Sequence, residues 1–254
     1  MFGPFDLHSG GGVNPPYSPA YPLEWSTEIH TLEVITQVDA SKLEPLLADT
    51  GFELVNDRVA FRFMLSPGHT LSLHRGRMFD LMVTVAVRYR DLFTQTHVYM
   101  YCSDPMGIAA GRELFGYTKK DCDFEFYEAD DGRVTGSVTR RAVPLAAFSF
   151  VPDPAAPLVL LTDDIEQPAG ELHVRRLPDP AGVGVSYADV VYRRTPVDYS
   201  EPIRGQIDLQ LLESSFDPLT ELQPRVLGAH FMTTPVYGGG FEVEDRRLIE
   251  RRTP

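Results

Sequence analysis

From Ser26 onward the chain is built of short runs with β-rich composition, several alternating apolar and polar side chains with a period of two. That period marks half-buried β-strands. Arg58–Leu65 is the plainest case, alternating around Val59, Phe61, Phe63 and Leu65. Further runs are Ile29–Val38, Phe79–Arg90, Phe93–Tyr101, Asp123–Tyr127, Val134–Ala142, Leu158–Thr162, Leu172–Leu177, Gly182–Val191, Gln206–Leu212, Val226–Met232 and Gly240–Glu244. The turn Asp130-Asp131-Gly132-Arg133 between two of them is a hairpin signature. Asp39–Ala48 reads as a short helix. Many strands, Gly/Pro turns and two or three short helices predict a mainly β (α+β) fold, an antiparallel barrel or sandwich with helical additions. Residues 1–25 read as a Gly/Pro-rich arm and residues 26–254 as a single domain, with the Pro-rich Val151–Pro157 as a loop inside it. No repeats are visible.

Composition narrows the function classes. The chain has 254 residues, 43% of them hydrophobic, which is ample for a core without staples. A net charge of −13 with no basic stripe argues against nucleic acid. Cys102 and Cys122 are the only cysteines, so no disulfide framework is implied and a cytoplasmic, reducing compartment is expected. No basic segment precedes an apolar core at the N-terminus, and no apolar run approaches the roughly 20 residues needed to span a membrane. The seven histidines, His8, His30, His69, His74, His97, His173 and His230, form no HxxxH or HExxH spacing, so no metal is expected. There is no phosphate loop, dinucleotide fingerprint or GxSxG elbow.

One segment breaks the β rhythm. In Ser103–Gly116, Asp104 suits an N-cap, Pro105 the first helical position and Gly116 the residue past the end. Its internal glycines cost helix stability and point to close packing against another element. Tyr117-Thr118-Lys119-Lys120 follows. Adjacent lysines after a helix are commonly just solvated. Here, however, the chain has 20 Arg and only 3 Lys, and two of the three stand together. Lysine differs from arginine in that its amine loses a proton when desolvated or set beside another cation. A neutral amine attacks a carbonyl to give a Schiff base, and the protonated imine is an electron sink. On an extended segment, successive side chains face opposite sides, so one lysine of the pair can point inward.

Met100-Tyr101, then Ile108-Ala109-Ala110-Gly111-Arg112-Glu113-Leu114-Phe115-Gly116-Tyr117-Thr118-Lys119-Lys120, resembles the signature of the acetoacetate decarboxylase family. Weaker resemblance continues at Phe216-Asp217-Pro218-Leu219 and Val226-Leu227-Gly228-Ala229. Acetoacetate decarboxylase is itself the standard example of an activated lysine. The resemblance implies a cone-shaped antiparallel β-barrel, a homo-oligomer and a largely apolar site. It implies Lys119 as the nucleophile and Lys120 as the neighbour that depresses its pKa. Met100 and Tyr117 match pocket-wall positions, and Arg112-Glu113 matches a helix motif whose role is an ion pair or packing contact.

Departures bear on the substrate. Thr118 replaces a proline. The family's active-site glutamate falls at Asp80, a second glutamate at Arg62, and a substrate-positioning arginine at Gln37. The resemblance therefore implies a keto acid other than acetoacetate, its carboxylate held by Arg62. Three functions are compatible with these residues. One is decarboxylation of a β-keto acid, with Asp80 as a proton relay. Another is aldolase–dehydratase chemistry on pyruvate or another α-keto acid through the same lysine. The third is a non-catalytic barrel binding a small carbonyl compound. No cofactor is expected, since the imine supplies the electron sink.

Overall fold

The computed structural model describes residues 28–67, 77–162, 170–178, 185–194, 200–235 and 246–252. The Gly/Pro-rich arm and the Gly240–Glu244 run lie outside these residues. No helix among them is long and apolar enough to cross a membrane.

The first half of the chain holds β1 (Glu28–Gln37), helix α1 (Ala40–Leu47), β2 (Glu53–Ser66), β3 (Met78–Tyr89) and β4 (Leu92–Cys102). Helix α2 (Pro105–Ala110) follows and widens into a π-helical turn at Gly111–Phe115. Then come β5 (Lys119–Asp121), β6 (Asp123–Glu128), β7 (Val134–Arg140) and β8 (Val143–Pro152). The remaining strands are β9 (Gly170–Pro178), β10 (Val185–Arg194), β11 (Ile203–Leu211), β12 (Arg225–Pro235) and β13 (Arg246–Arg252), with a 3-10 turn at Leu219–Leu222.

The thirteen strands among the described residues form one sheet in the order β13-β10-β9-β4-β3-β2-β1-β12-β11-β8-β7-β6, with β5 paired to β4 off this path. β5 passes through Cys122 directly into β6, the far end of the order, and the Cys122 N–H donates to the Cys102 carbonyl at 3.1 Å. The sheet thus bends back on itself in the barrel-like way expected. β4 is its branch point. Its start pairs with β9 through Gln95 and Glu171, and its end pairs with β5 through Met100–Cys102, both in parallel.

Cross-strand partners share a face, so the register sorts side chains into two environments. Leu32, Val34, Phe61, Phe63, Leu81 and Val83 occupy one face, and all are fully buried in the main core. Phe63 meets Phe148 of β8 with ring centroids 4.2 Å apart. The opposite face carries Glu33, Arg62 and Met82, and then Met100 and Lys119, in successive strands. Lys119 and the Glu33–Arg62 pair lie on that second face.

One strand was not anticipated, and it takes Val151 and Pro152 from the expected Val151–Pro157 loop; one expected strand is absent. Val143–Pro152 is a strand, reached from β7 by a two-residue turn at Arg141 and Ala142. Both turn residues have positive φ, 51° and 62°, as a type I′ turn requires, yet neither is the Gly or Asn that signals one. Leu158–Thr162 is not a strand; Leu161 fills a small core patch beside Ile35 and Ala60 from a loop. Phe63→Ala removes a fully buried ring and is expected to cost about 3–5 kcal/mol, read as a lower urea midpoint with unchanged slope.

Candidate active site

The site begins with how the helical segment ends. Asp104 caps α2, its carboxylate accepting from the Gly107 N–H at 2.8 Å. The π-helical turn closes at Gly116, whose φ of 77° is left-handed. That reversal brings Tyr117 to Lys120 back along β4. The three-residue pairing sets Lys119 opposite Met100 and Lys120 opposite Tyr101. Gly111 makes room for this. A Cβ there would stand 2.9 Å from Lys119 Cδ and 3.1 Å from Cε.

Lys119 is buried, 6% exposed, and its Nζ is 2.9 Å from Asp80 Oδ1, itself equally buried. Met82, Met100, Phe115 and Tyr117 pack as a buried apolar cluster, with Met64 against it. The Lys119 Nζ stands 5.8 Å from the Tyr117 ring centroid. Burial, reinforced by the Asp80 charge, pushes the nearby Cys102 thiol up to about 12, so it stays protonated. Lys119, Asp80, Met100 and Tyr117 are thus brought together.

Lys120 goes the other way. Alternation along β5 turns it to the Tyr101 side of the sheet, where its Nζ donates to Asp217 Oδ1 at 2.7 Å. Arg140 donates to the other Asp217 oxygen at 2.7 Å, and the Tyr101 hydroxyl donates to Oδ1 at 3.2 Å. Burial alone would raise the Asp217 carboxyl; the hydrogen bonds from Lys120 and Arg140 outweigh it and hold it below the usual range. The expectation that Lys120 stands beside Lys119 as a neighbouring cation is therefore corrected. Its charge is compensated on the opposite face.

Arg62 and Gln37 also differ from expectation. Arg62 lies on the site face, but its Nε donates to Glu33 at 2.9 Å and its Nη1 to Gln95 at 2.9 Å. Two of its donors thus serve the protein rather than a substrate carboxylate. His230 Nε2 is 3.2 Å from the second Glu33 oxygen. Gln37 is four positions further along β1, roughly 13 Å of strand away. There it donates to Asp57 at 2.6 Å and accepts from Arg225. Arg112 and Glu113 are exposed on the π-helical turn, and the Glu113 carbonyl accepts from Arg175 at 3.0 Å.

A second polar group adjoins Tyr117, whose hydroxyl donates to Glu171 Oε2 at 2.5 Å. His97 Nε2 is 3.4 Å from Glu171 Oε1, and the His97 and His173 rings are 4.9 Å apart. Sequence reasoning did not single out Glu33, Glu171 and Asp217 as members of these polar groups and dismissed His97, His173 and His230. Their groupings join strands far apart in the chain, so no local motif marks them.

Burial raises the Glu33 carboxyl, but the Arg62 and His230 charges and hydrogen bonds outweigh it and bring it from 4.5 down to about 2. A carboxyl depressed by folding stabilises the fold above its unfolded value and loses that contribution as pH falls through its folded value. The melting temperature is therefore expected to drop as pH falls from 4.5 to about 2. Glu33→Gln should melt lower at neutral pH and show a shallower acid decline.

The profile of the family described as Acetoacetate decarboxylase (ADC) matches residues 12–248. A search of curated proteins found no match. Among solved structures, one described as acetoacetate decarboxylase aligns with a TM-score of 0.75 at 17% identity, over 99% of this chain and 100% of that one. Acetoacetate decarboxylase from Legionella pneumophila subsp. pneumophila str. Philadelphia 1 aligns with a TM-score of 0.69 at 18% identity over 87% of each chain. The enduracididine biosynthesis enzyme MppR aligns with a TM-score of 0.72 at 15% identity over 94% of each, and has also been solved with pyruvate. At these identities the likeness is one of fold. With the family profile spanning nearly all of its length, the chain belongs to the acetoacetate decarboxylase family.

Proposed function

We propose that the protein is a Schiff-base lysine enzyme that decarboxylates a β-keto acid other than acetoacetate. The observation that carries this reading is the buried Lys119 amine, 2.9 Å from Asp80 in an apolar surround. Attack needs the neutral amine; burial works against the ammonium while the Asp80 charge favours it, and in this reading Asp80 takes the proton that Lys119 gives up. The amine adds to the ketone carbon, and water leaves to give the iminium. The bond to the carboxylate then breaks, and its electron pair moves into the C–N system as an enamine. Protonation at carbon and addition of water return the ketone and the free lysine. The apolar walls from Met82, Met100 and Phe115 favour loss of charge as the carboxylate departs as CO2.

A second reading uses the same amine. An α-keto acid iminium loses a proton to give an enamine, which adds to an aldehyde. The MppR likeness favours it, since that enzyme has been solved with pyruvate and with the condensation product of pyruvate and imidazole 4-carboxaldehyde.

Borohydride reduction in the presence of candidate keto acids, followed by peptide mass spectrometry, is expected to find a covalent adduct on Lys119. Lys119→Ala should lose the adduct and all turnover; full activity in that variant would overturn the proposal. Release of CO2 against formation of an enone then separates the two readings. Gly111→Ala crowds the Lys119 side chain and is expected to slow adduct formation about a hundredfold, the scale of a roughly 1 Å misplacement. Its far-ultraviolet circular dichroism should stay native.

A further inference from the structure

We propose that His97, Glu171 and His173 form a binding site for a divalent transition-metal ion of the zinc class, separate from the Lys119 amine. The three come from two neighbouring strands. β4 and β9 run in parallel with Gln95 opposite Glu171. Two residues further along each, His97 and His173 stand side by side. All three residues are buried, at 3%, 8% and 3% exposure. Their ligand-capable atoms lie within 4.8 Å of one another.

The geometry is that of a site with its outer contacts already in place. His97 Nδ1 is 2.9 Å from the Thr84 hydroxyl, and His173 Nδ1 is 3.4 Å from the Thr96 hydroxyl. A hydroxyl accepting from Nδ1–H fixes the ring and directs the Nε2 lone pair at a ligand. Glu171 Oε2 is held by Tyr117, which turns Oε1 toward His97. Nε2 of His97 is buried and makes no hydrogen bond. Its 3.4 Å separation from Glu171 Oε1 is what two ligands of a tetrahedral ion show at bond lengths of about 2.1 Å. A separation at the 4.8 Å limit of the group must contract by about 1.4 Å for a third bond of that length.

Two imidazoles and one carboxylate suit zinc-class ions over calcium or magnesium, which prefer all-oxygen sites. Three protein ligands leave coordination positions open, which take water or an anionic oxygen such as a carboxylate. Tyr117 connects the two centres, with its hydroxyl on Glu171 and its ring 5.8 Å from Lys119 Nζ.

The test uses the full chain, stripped by dialysis against chelator and titrated with Zn²⁺ or Co²⁺. One ion per chain is expected, and Co²⁺ should give visible absorption of a low-symmetry nitrogen–oxygen site. His97→Gln and His173→Gln should each weaken binding more than about a hundredfold, and Thr84→Val about ten- to a hundredfold by freeing the ring. Thr84→Val keeps every ligand, so it serves if a histidine variant fails to fold. Lys119→Ala should bind the ion as the parent does, which keeps this result independent of the Schiff-base reading. Absence of stoichiometric binding, or binding unchanged in the His97→Gln/His173→Gln double variant, would overturn the proposal.

Discussion

The three-residue parallel pairing of β5 with the end of β4 is the constraint on which the site depends. It is short, and no β-strand propensity in Lys119-Lys120-Asp121 would sustain it alone. It is held by what flanks it: the left-handed Gly116 on one side and the Cys122-to-Cys102 hydrogen bond on the other. Because side chains alternate along a strand, this one pairing separates two adjacent lysines into unlike surroundings. Lys119 reaches a buried face beside Met100 and Asp80. Lys120, half-exposed, reaches the Tyr101 side and Asp217. A shift of one residue would exchange them. The π-helical widening at Gly111–Phe115 belongs to the same device, since it sets the approach of Gly111 to the Lys119 stem.

Much of this was legible in the sequence. Period-two alternation gave the strands, and Asp104, Pro105 and Gly116 gave the helical segment and its end. The Lys119-Lys120 pair stood out because arginine supplies nearly all the other cations. Hidden features share one physical character: they depend on which strands become neighbours. Arg141 and Ala142 adopt a turn conformation that neither residue announces. Lys120 meets Asp217, 97 residues away, and His97 meets Glu171 across a junction of β4 with β9 that no local pattern encodes. Linear spacing reports the period of an element, not its partner.

The charges at Arg62 and Glu33 make the point most sharply. Read along the chain, Arg62 is an isolated cation where a carboxylate was expected, and Gln37 is a lost cation. Across the sheet, β1 and β2 pair antiparallel with Glu33 opposite Arg62. Cross-strand pairing, not alignment of the chain, therefore decides which residue must answer a change at position 62. A lone buried guanidinium would be strongly destabilising, whereas a hydrogen-bonded pair costs far less. Glu33, paired with His230, supplies that compensation, and Gln95 accepts from a second Arg62 nitrogen. Two of the Arg62 donors are consequently committed to holding the sheet's polar face together. On the proposed keto-acid reading, selectivity for an anionic substrate would have to be built from the geometry around Lys119 and from the Tyr117–Glu171–histidine group beside it, because two donors of the cation on that face are already engaged in the fold.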